Sequence, residues 1–345
     1  MLVRTCLYWE LACNHIEMPK RSRADSADEK EPAGKEKVVN VAYGEVNKAG
    51  ISIPAQSIDR PKLTVAADER LTVVTWNLNG MRSFVEKKGE LIKKLFDEEH
   101  VDILAVTEHK ITDDARANQV EADLKKVLKG HDVKVIWNMC TAKKGYAGTC
   151  AIVRSDVHKR IRKTTFGYGA TDTEGRVITL DFDSMSVVVV YVPNSGMTLD
   201  RLQWRTTSWD KDFGEYCHTL SKSKPLVIAG DLNVAIRDCD IWNVDAAHIP
   251  KLAGTTPQER HSFQTRFLDK GLLDTFAAAN PDKTGWFSYW SVKAGNKPKN
   301  RGLRLDYVLA DKKVKVLDAF ISPEYAPTGD HCPCGIVIHA SRASL

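Results

Sequence analysis

Lys224-Pro225-Leu226-Val227-Ile228-Ala229-Gly230-Asp231-Leu232-Asn233-Val234 is the stretch on which the fold turns. Leu226 to Ala229 is a short apolar run and reads as a buried strand, because each of its positions can face packed neighbours. Gly230 frees the backbone. Asp231 and Asn233 follow with one residue between them, on the same side of an extended segment just past the strand. An acid and an amide in that relation suit chemistry that handles water next to a phosphate. Asp can take a proton or hold a metal, and Asn can orient the same water without adding charge. The pair also reads as an ordinary turn, and the rest of the chain decides between the two readings.

Outward from this strand the texture recurs. Before it, a helix is expected over Leu202 to Leu220, and Arg176–Phe182 with Met185–Tyr191 reads as a hairpin around Asp183-Ser184. Earlier still come strand-forming runs at Leu71–Trp76, Val101–Val106, Val133–Trp137 and Thr149–Val153. Helical spacing of apolar residues covers Glu86–Glu99, and a charged helical stretch covers Arg116–Leu128. After it, Thr256 caps a helix with Pro257 in its first turn. Ser288–Trp290, Leu305–Leu309 and Cys334–His339 complete the strands. Strands alternate with helices but also run directly into one another, so a mixed sheet, or two packed sheets with outer helices, fits best.

The 345 residues are 28% charged and 43% hydrophobic, with a net charge of +5, which permits nucleic-acid binding without demanding it. No run is long and apolar enough to cross a bilayer. The eight cysteines form no CxxC pair, and Cys332-Pro333-Cys334 is too cramped for a zinc ribbon; free thiols in a reducing compartment are expected. Residues 1–65 lack core patterning and read as a disordered tail, leaving 66–345 as one catalytic domain. Pro19-Lys20-Arg21-Ser22-Arg23 within that tail reads as a nuclear address or a solvated cluster, and the short, interrupted apolar stretch before it is not expected to be a secretory signal.

The strands end in, or are introduced by, polar residues: Asn77, Glu108, Tyr191 with Asn194, Asp231 with Asn233, Asp306, and Asp330 with His331. Each alone has a structural explanation. Together, on one layered fold, they can converge on a single edge. Phosphodiester hydrolysis must activate water, neutralise phosphoryl charge and stabilise a departing alkoxide. A hard cation with oxygen ligands fits, and no thiolate set points to zinc. Glu108 is the best metal ligand, Asp231 and Asn233 handle the water, and His331 faces a phosphoryl oxygen with Asp306 fixing its ring. Tyr191 and Asn194 contact the same phosphate.

The motifs TWNLNG, TEHK, YVPNSG, GDLNV, TPQER, RLDY and GDHCP occur in this order from Trp76 to Pro333. Over roughly residues 70 to 340 the chain strongly resembles the exonuclease III family of apurinic/apyrimidinic endonucleases, especially the animal type, and Met18-Pro19-Lys20-Arg21 resembles their N-terminal start. The resemblance implies a DNase I-like, four-layered α/β sandwich of two packed mixed sheets flanked by helices. It also implies a magnesium-dependent cut 5′ to an abasic site in duplex DNA, with manganese as a substitute metal. The products are a 3′-hydroxyl and a 5′-deoxyribose phosphate, and 3′-phosphodiesterase and weaker 3′-to-5′ exonuclease activity accompany the cut. The implied setting is base-excision repair by a monomer in the nucleus, with mitochondria as a second location and other repair proteins as partners.

Residue by residue, Glu108 matches the family's metal ligand and Asp306 with His331 its Asp–His pair. Asp231, Asn233 and His331 also border the metal, as do Asn77, Asp330 and Asn79, a position where some relatives carry Asp. Lys110, Tyr146 and Arg176, with Asn194, match positions near DNA. Tyr289, Leu303 and Leu305 match the apolar sugar pocket. Three departures stand out: TEHK replaces QETK, Met197 replaces an Arg, and Tyr289 and Leu303 replace Phe and Trp. A related phosphoesterase acting on inositol phosphates, phospholipid headgroups or RNA ends would use the same acidic set. A non-catalytic DNA-binding scaffold would be expected to lack one of Glu108, Asp231, Asn233, Asp306 or His331, and this chain has all five.

Overall fold

The computed structural model describes residues 58–169, 172–341 and 345. Among the described residues, twelve strands form two six-stranded sheets. The first has the order β11 (Val316–Ile321), β12 (Cys334–His339), β1 (Arg70–Asn77), β2 (Ile103–Thr107), β4 (Thr149–Arg154) and β3 (Val133–Asn138). The second has the order β5 (Lys163–Phe166), β6 (Val177–Asp181), β7 (Ser186–Tyr191), β8 (Leu226–Asp231), β10 (Asp306–Asp311) and β9 (Leu272–Asp274). Each sheet has one parallel pair at its centre, β1 with β2 and β7 with β8, and antiparallel strands outside it. Both sheets are therefore mixed.

Alternation along the strands divides the apolar residues into three layers of core. Leu71 and Val73 of β1 pack between the sheets with Val187 and Val189 of β7 and Val227 and Ala229 of β8. Val74 and Trp76 face the other way, against Phe84, Ile92 and Leu95 of α1 (Met81–Glu99) and Val120 and Leu124 of α2 (Asp114–Val127). On the far side of the second sheet, Val188 and Ile228 meet Phe213 and Phe263. A short helix α3 (Ser155–His158) follows β4. Phe213 belongs to α5 (Asp210–Ser223), which continues α4 (Leu202–Trp204) through a π-turn at Arg205–Trp209. Phe263 lies on α6 (Pro257–Arg266), where Thr256 and Glu259 form a capping box with Pro257 at the start. A last helix, α7 (Thr275–Ala279), covers the first sheet through Phe276. The result is the four-layered α/β sandwich.

The fold departs from the sequence reading at several edges. Strands β5, β9 and β11 were not foreseen, and Ser288–Trp290 is no strand but a set of isolated bridges at Tyr289. Helix α1 begins at Met81, five residues before the expected start. Gly230 lies inside β8, where a Cβ would come within 1.8 Å of the Val190 carbonyl oxygen. Its glycine is required by the close approach of β7, not by freedom in a turn.

The tail boundary also shifts. Ile58 and Leu63 pack on the first sheet's outer core. Arg60 bonds Glu99 at 2.6 Å and Asp318 at 2.7 Å and stacks over Phe320 at 4.1 Å. Residues from Ile58 on thus belong with the domain, while the basic cluster and the rest of the expected tail lie outside the described residues. Of the six described cysteines, Cys140, Cys150, Cys217, Cys332 and Cys334 are buried free thiols. No described helix is long and apolar enough to cross a membrane.

Candidate active site

The ends of the two parallel pairs meet at one edge of the sandwich. Asn77 closes β1 and Glu108 follows β2; Tyr191 and Asp231, register partners, close β7 and β8. Asp306 opens β10 opposite Asp231. His331 enters from the loop before β12, its carbonyl accepting the Trp76 indole N–H at 3.3 Å.

The inner end of the site is a buried row. The Asp306 carboxylate lies 2.7 Å from His331 Nδ1, and Asp231 is 3.9 Å from Nε2 on the other side of the ring. Ser288 Oγ accepts the backbone N–H groups of Leu305 and Asp306, which fixes where the Asp306 side chain leaves the strand. Burial opposes a charged imidazole here, but the Asp306 and Asp231 carboxylates outweigh it and hold His331 well above its ordinary range. Burial and the Asp306 charge push Asp231 up in turn. The ligand atoms of Asp231, Asp306 and His331 lie within 4.8 Å of one another, so this cluster can also hold a cation. Asp306 was not expected among metal-side groups.

Asn77 joins this row to the outer end. Its amide donates to Asp231 Oδ2 and to Glu108 Oε1, both at 3.0 Å, while its oxygen accepts the Asn79 N–H. Asn77 therefore bridges the two carboxylates. Glu108 also accepts from the Tyr191 hydroxyl at 2.8 Å, and Lys110 Nζ lies 2.9 Å from its second oxygen. Desolvation works against the Glu108 anion, yet the Asn77, Lys110 and Tyr191 contacts keep its carboxyl below the usual range. The Lys110 ammonium also bonds Asn79 Oδ1, and Asn79 donates to Asp330 at 2.8 Å. A cationic head thus already sits among the oxygens of Glu108 and Asn79. Such a hard-oxygen set suits a divalent cation.

The two amides expected near the phosphate are linked to each other. Asn194 donates to Asn233 Oδ1 at 2.9 Å, and Asn233 donates to the Val192 carbonyl. Asn233 is left-handed (φ 47°), and its N–H bonds Asp231 Oδ1 at 2.9 Å. The turn reading of this motif holds, and the Asp231 side chain builds the turn that presents Asn233 at the same edge.

Arg176 departs from its expected place at the DNA surface. It is 1% exposed, and its guanidinium donates to Glu174, the Tyr191 carbonyl and the Tyr146 hydroxyl. It orders Tyr146 and Tyr191 from behind. Arg201, not singled out from sequence, donates to the same Tyr146 oxygen at 2.8 Å. Of the apolar trio, only Tyr289 faces the site, with its ring 4.9 Å from that of His331. Leu303 and Leu305, 7% and 5% exposed, pack beneath it with Ile241 and Ile249. Met197 is 98% exposed.

Sequence reasoning also missed the support behind Asn194 and Asn233. Buried Arg205, at the start of the π-turn, donates to the Leu232 and Asn233 carbonyls at 2.8 and 2.7 Å and pairs with Glu259 at 2.9 Å. Glu259, fully buried, also accepts from Ser195, Gly254 and Thr256. One carboxylate thereby links the loop of Asn194 to the loop of Asn233. Only the TPQER motif signalled it.

Comparison with known proteins follows the same outline. Residues 74–331 match the model of the endonuclease/exonuclease/phosphatase family. The chain belongs to this family. It is 34% identical over 297 residues to the DNA-(apurinic or apyrimidinic site) endonuclease of Dictyostelium discoideum, covering 84% of this chain and 76% of that protein. It is 36% identical over 273 residues to an exodeoxyribonuclease of Bacillus subtilis (strain 168), covering 78% of this chain and all (100%) of the relative. The crystal structure of AP endonuclease LMAP from Leishmania major superposes with a TM-score of 0.72 at 28% identity, covering 82% of this chain and 92% of that one. The family's fold and the two mixed sheets described here agree.

Proposed function

We propose that the protein is a DNA repair hydrolase that cuts the phosphodiester bond 5′ to an abasic site in duplex DNA. The cut leaves a 3′-hydroxyl and a 5′-deoxyribose phosphate, and the same site removes 3′-terminal groups and nucleotides. One observation carries this reading: a buried Asp–His–Asp row lies beside a separate hard-oxygen set, joined to it by the Asn77 amide. Phosphodiester hydrolysis needs both, a place for proton transfer and a place for cationic charge. The kinship to an abasic-site endonuclease and to an exodeoxyribonuclease supports DNA as the substrate.

Glu108, Asn79 and Asp330 would hold magnesium, which supplies Lewis acidity toward the phosphoryl oxygens. Asp231 orients a water and takes its proton, with the Asn233 amide beside it. The water oxygen bonds to phosphorus as the P–O3′ bond breaks, and the leaving 3′-oxygen takes a proton from solvent to become the 3′-hydroxyl. His331, kept charged by its two carboxylates, donates to a phosphoryl oxygen, and Asp306 fixes its ring. Asn194 is exposed at the mouth, and Lys110 and Tyr146 border it, which suits phosphate contacts along the strand. Tyr289 meets the extruded sugar, since an abasic nucleotide stacks and pairs poorly and leaves the helix cheaply. The enzyme works as a monomer in the nucleus.

A duplex with one abasic analogue, incubated with magnesium or with chelator beside an inositol phosphate, tests the reading. Incision of the duplex only with magnesium is expected. Preferred turnover of the inositol phosphate, or equal incision under chelation, overturns it.

A further inference from the structure

His109 stands where the family motif QETK has threonine, and no role described so far uses it. It lies between Glu108 and Lys110, both held in the left-handed region (φ 53° and 58°) that non-glycine residues keep only when neighbours hold them there. The His109 ring is fully buried. Its Nδ1 accepts the N–H of Ile111 at 2.9 Å, which closes the turn on itself. Its Nε2 lies 3.1 Å from the carbonyl oxygen of Asn138 at the end of β3. An acceptor at Nδ1 and a donor at Nε2 define one neutral tautomer. The ring meets Trp137 edge-on at 5.2 Å. On its other side is Gly148, where a Cβ would come within 2.5 Å of Nε2. The backbone is tied as well, since the His109 N–H bonds the Gly148 carbonyl and the His109 carbonyl accepts the N–H of Met81 at the start of α1.

We propose that His109 is a positioning residue that fixes the turn carrying Glu108 and Lys110, and through it the oxygens that receive the metal. A ring wired at both nitrogens links the turn to the far strand of the first sheet. A threonine side chain is too short to make both bonds. The idea rests on Glu108 being a metal ligand, and it predicts that the metal response, more than the fold, depends on this ring. A histidine that merely filled space would be replaceable by any side chain of similar volume without changing that response.

The test uses the full chain with three substitutions and two readouts: the magnesium concentration giving half-maximal incision, and the magnesium-induced rise in melting temperature without DNA. His109→Asn keeps an acceptor where Nδ1 stood and loses the Asn138 bond. His109→Gln keeps a donor where Nε2 stood and opens the turn, and His109→Leu loses both. Half-saturating magnesium should rise at least about 10-fold in His109→Leu, which loses both bonds, and about 3- to 10-fold in His109→Gln and in His109→Asn, which each lose one, the scale for groups that orient metal ligands. The melting shift at fixed magnesium should shrink in the same order, with turnover at saturating magnesium little changed. If His109→Leu fails to fold, the Asn and Gln variants carry the test. Folded Gln and Asn variants with the wild-type magnesium response would overturn the proposal while leaving the Glu108 assignment intact. A wild-type protein whose melting does not respond to magnesium would overturn both.

Discussion

Asp231, Asp306 and His331 are buried at the inner end of the site, none more than 6% exposed, whereas Glu108, Lys110, Asn79 and Asp330 reach solvent at the mouth. In the inner group the carboxylates beside His331 hold its ring charged and burial beside Asp306 raises Asp231, so the protonation of these two belongs to the fold. In the outer group a lysine ammonium sits among the oxygens, a contact that a divalent cation can replace or join. Damage inside should therefore cost rate at any metal concentration. Damage outside should show mainly when metal is scarce.

The sharpest way to break this contrast is to remove the inner pair. His331→Ala and Asp306→Ala should each lower turnover at least about 100-fold, the scale for losing a positioned acid–base or charge-stabilising group. The double mutant should be little worse than the poorer single one, because the two act as a unit. Rescue of either single mutant by added magnesium would erase the distinction between the two ends. At the outer end, Glu108→Gln should cost about 10-fold at limiting magnesium and recover part of that loss at high magnesium, as expected for a weakened ligand. A loss independent of magnesium in a folded protein would move Glu108 into the inner group.

Packing beneath the site gives a smaller effect. Leu303→Trp must enlarge a side chain already packed with Ile241 and Leu305, so it should destabilise by about 1–3 kcal/mol and lower incision and exonuclease action together. A changed ratio of the two kcat/KM values in a stable mutant would mean that Leu303 meets the sugar after all.

Acidity offers a subtler test. His331 has a folded value raised above its ordinary 6.5, so its stabilisation is complete below pH 6.5 and is lost as pH rises toward the folded value. With metal chelated, the melting difference between wild type and His331→Gln should shrink from pH 6.5 upward. Growth of that difference over the same range would contradict a charged His331. The smallest effect belongs to the segment ahead of the domain. Deleting residues 1–57 should leave incision nearly intact, while deletion through residue 65 also removes Arg60 and should lower stability by about 1 kcal/mol, as for a modest ion pair with a stacked guanidinium.

The central strands could be read from sequence because their runs are long, apolar and buried on both faces, as in β7 and β8. The edges could not. β5 is four residues with no buried position, β9 is three residues long, and β11 carries Asp318, a charge whose partner Arg60 lies 258 residues away. The site was legible where a residue is its own signal, as with the GDLN and GDHCP motifs. It was illegible where the role depends on contacts across the chain. Nothing local in the sequence distinguishes Arg176, which points inward, from a surface arginine. Nor does it reveal that Arg205 supports Asn233, or that His109 bonds to β3.

One pairing sets when the enzyme can exist at all. The first strand, β1, lies against the last, β12, with Leu71 opposite Ile338. On the ribosome, β1 emerges early and must wait, with one edge uncovered, until nearly the whole chain has followed it. His331 arrives with that final segment. A chain broken off before residue 331 lacks both a finished sheet and its imidazole. A product that stops before residue 331 is therefore expected to lack nuclease activity.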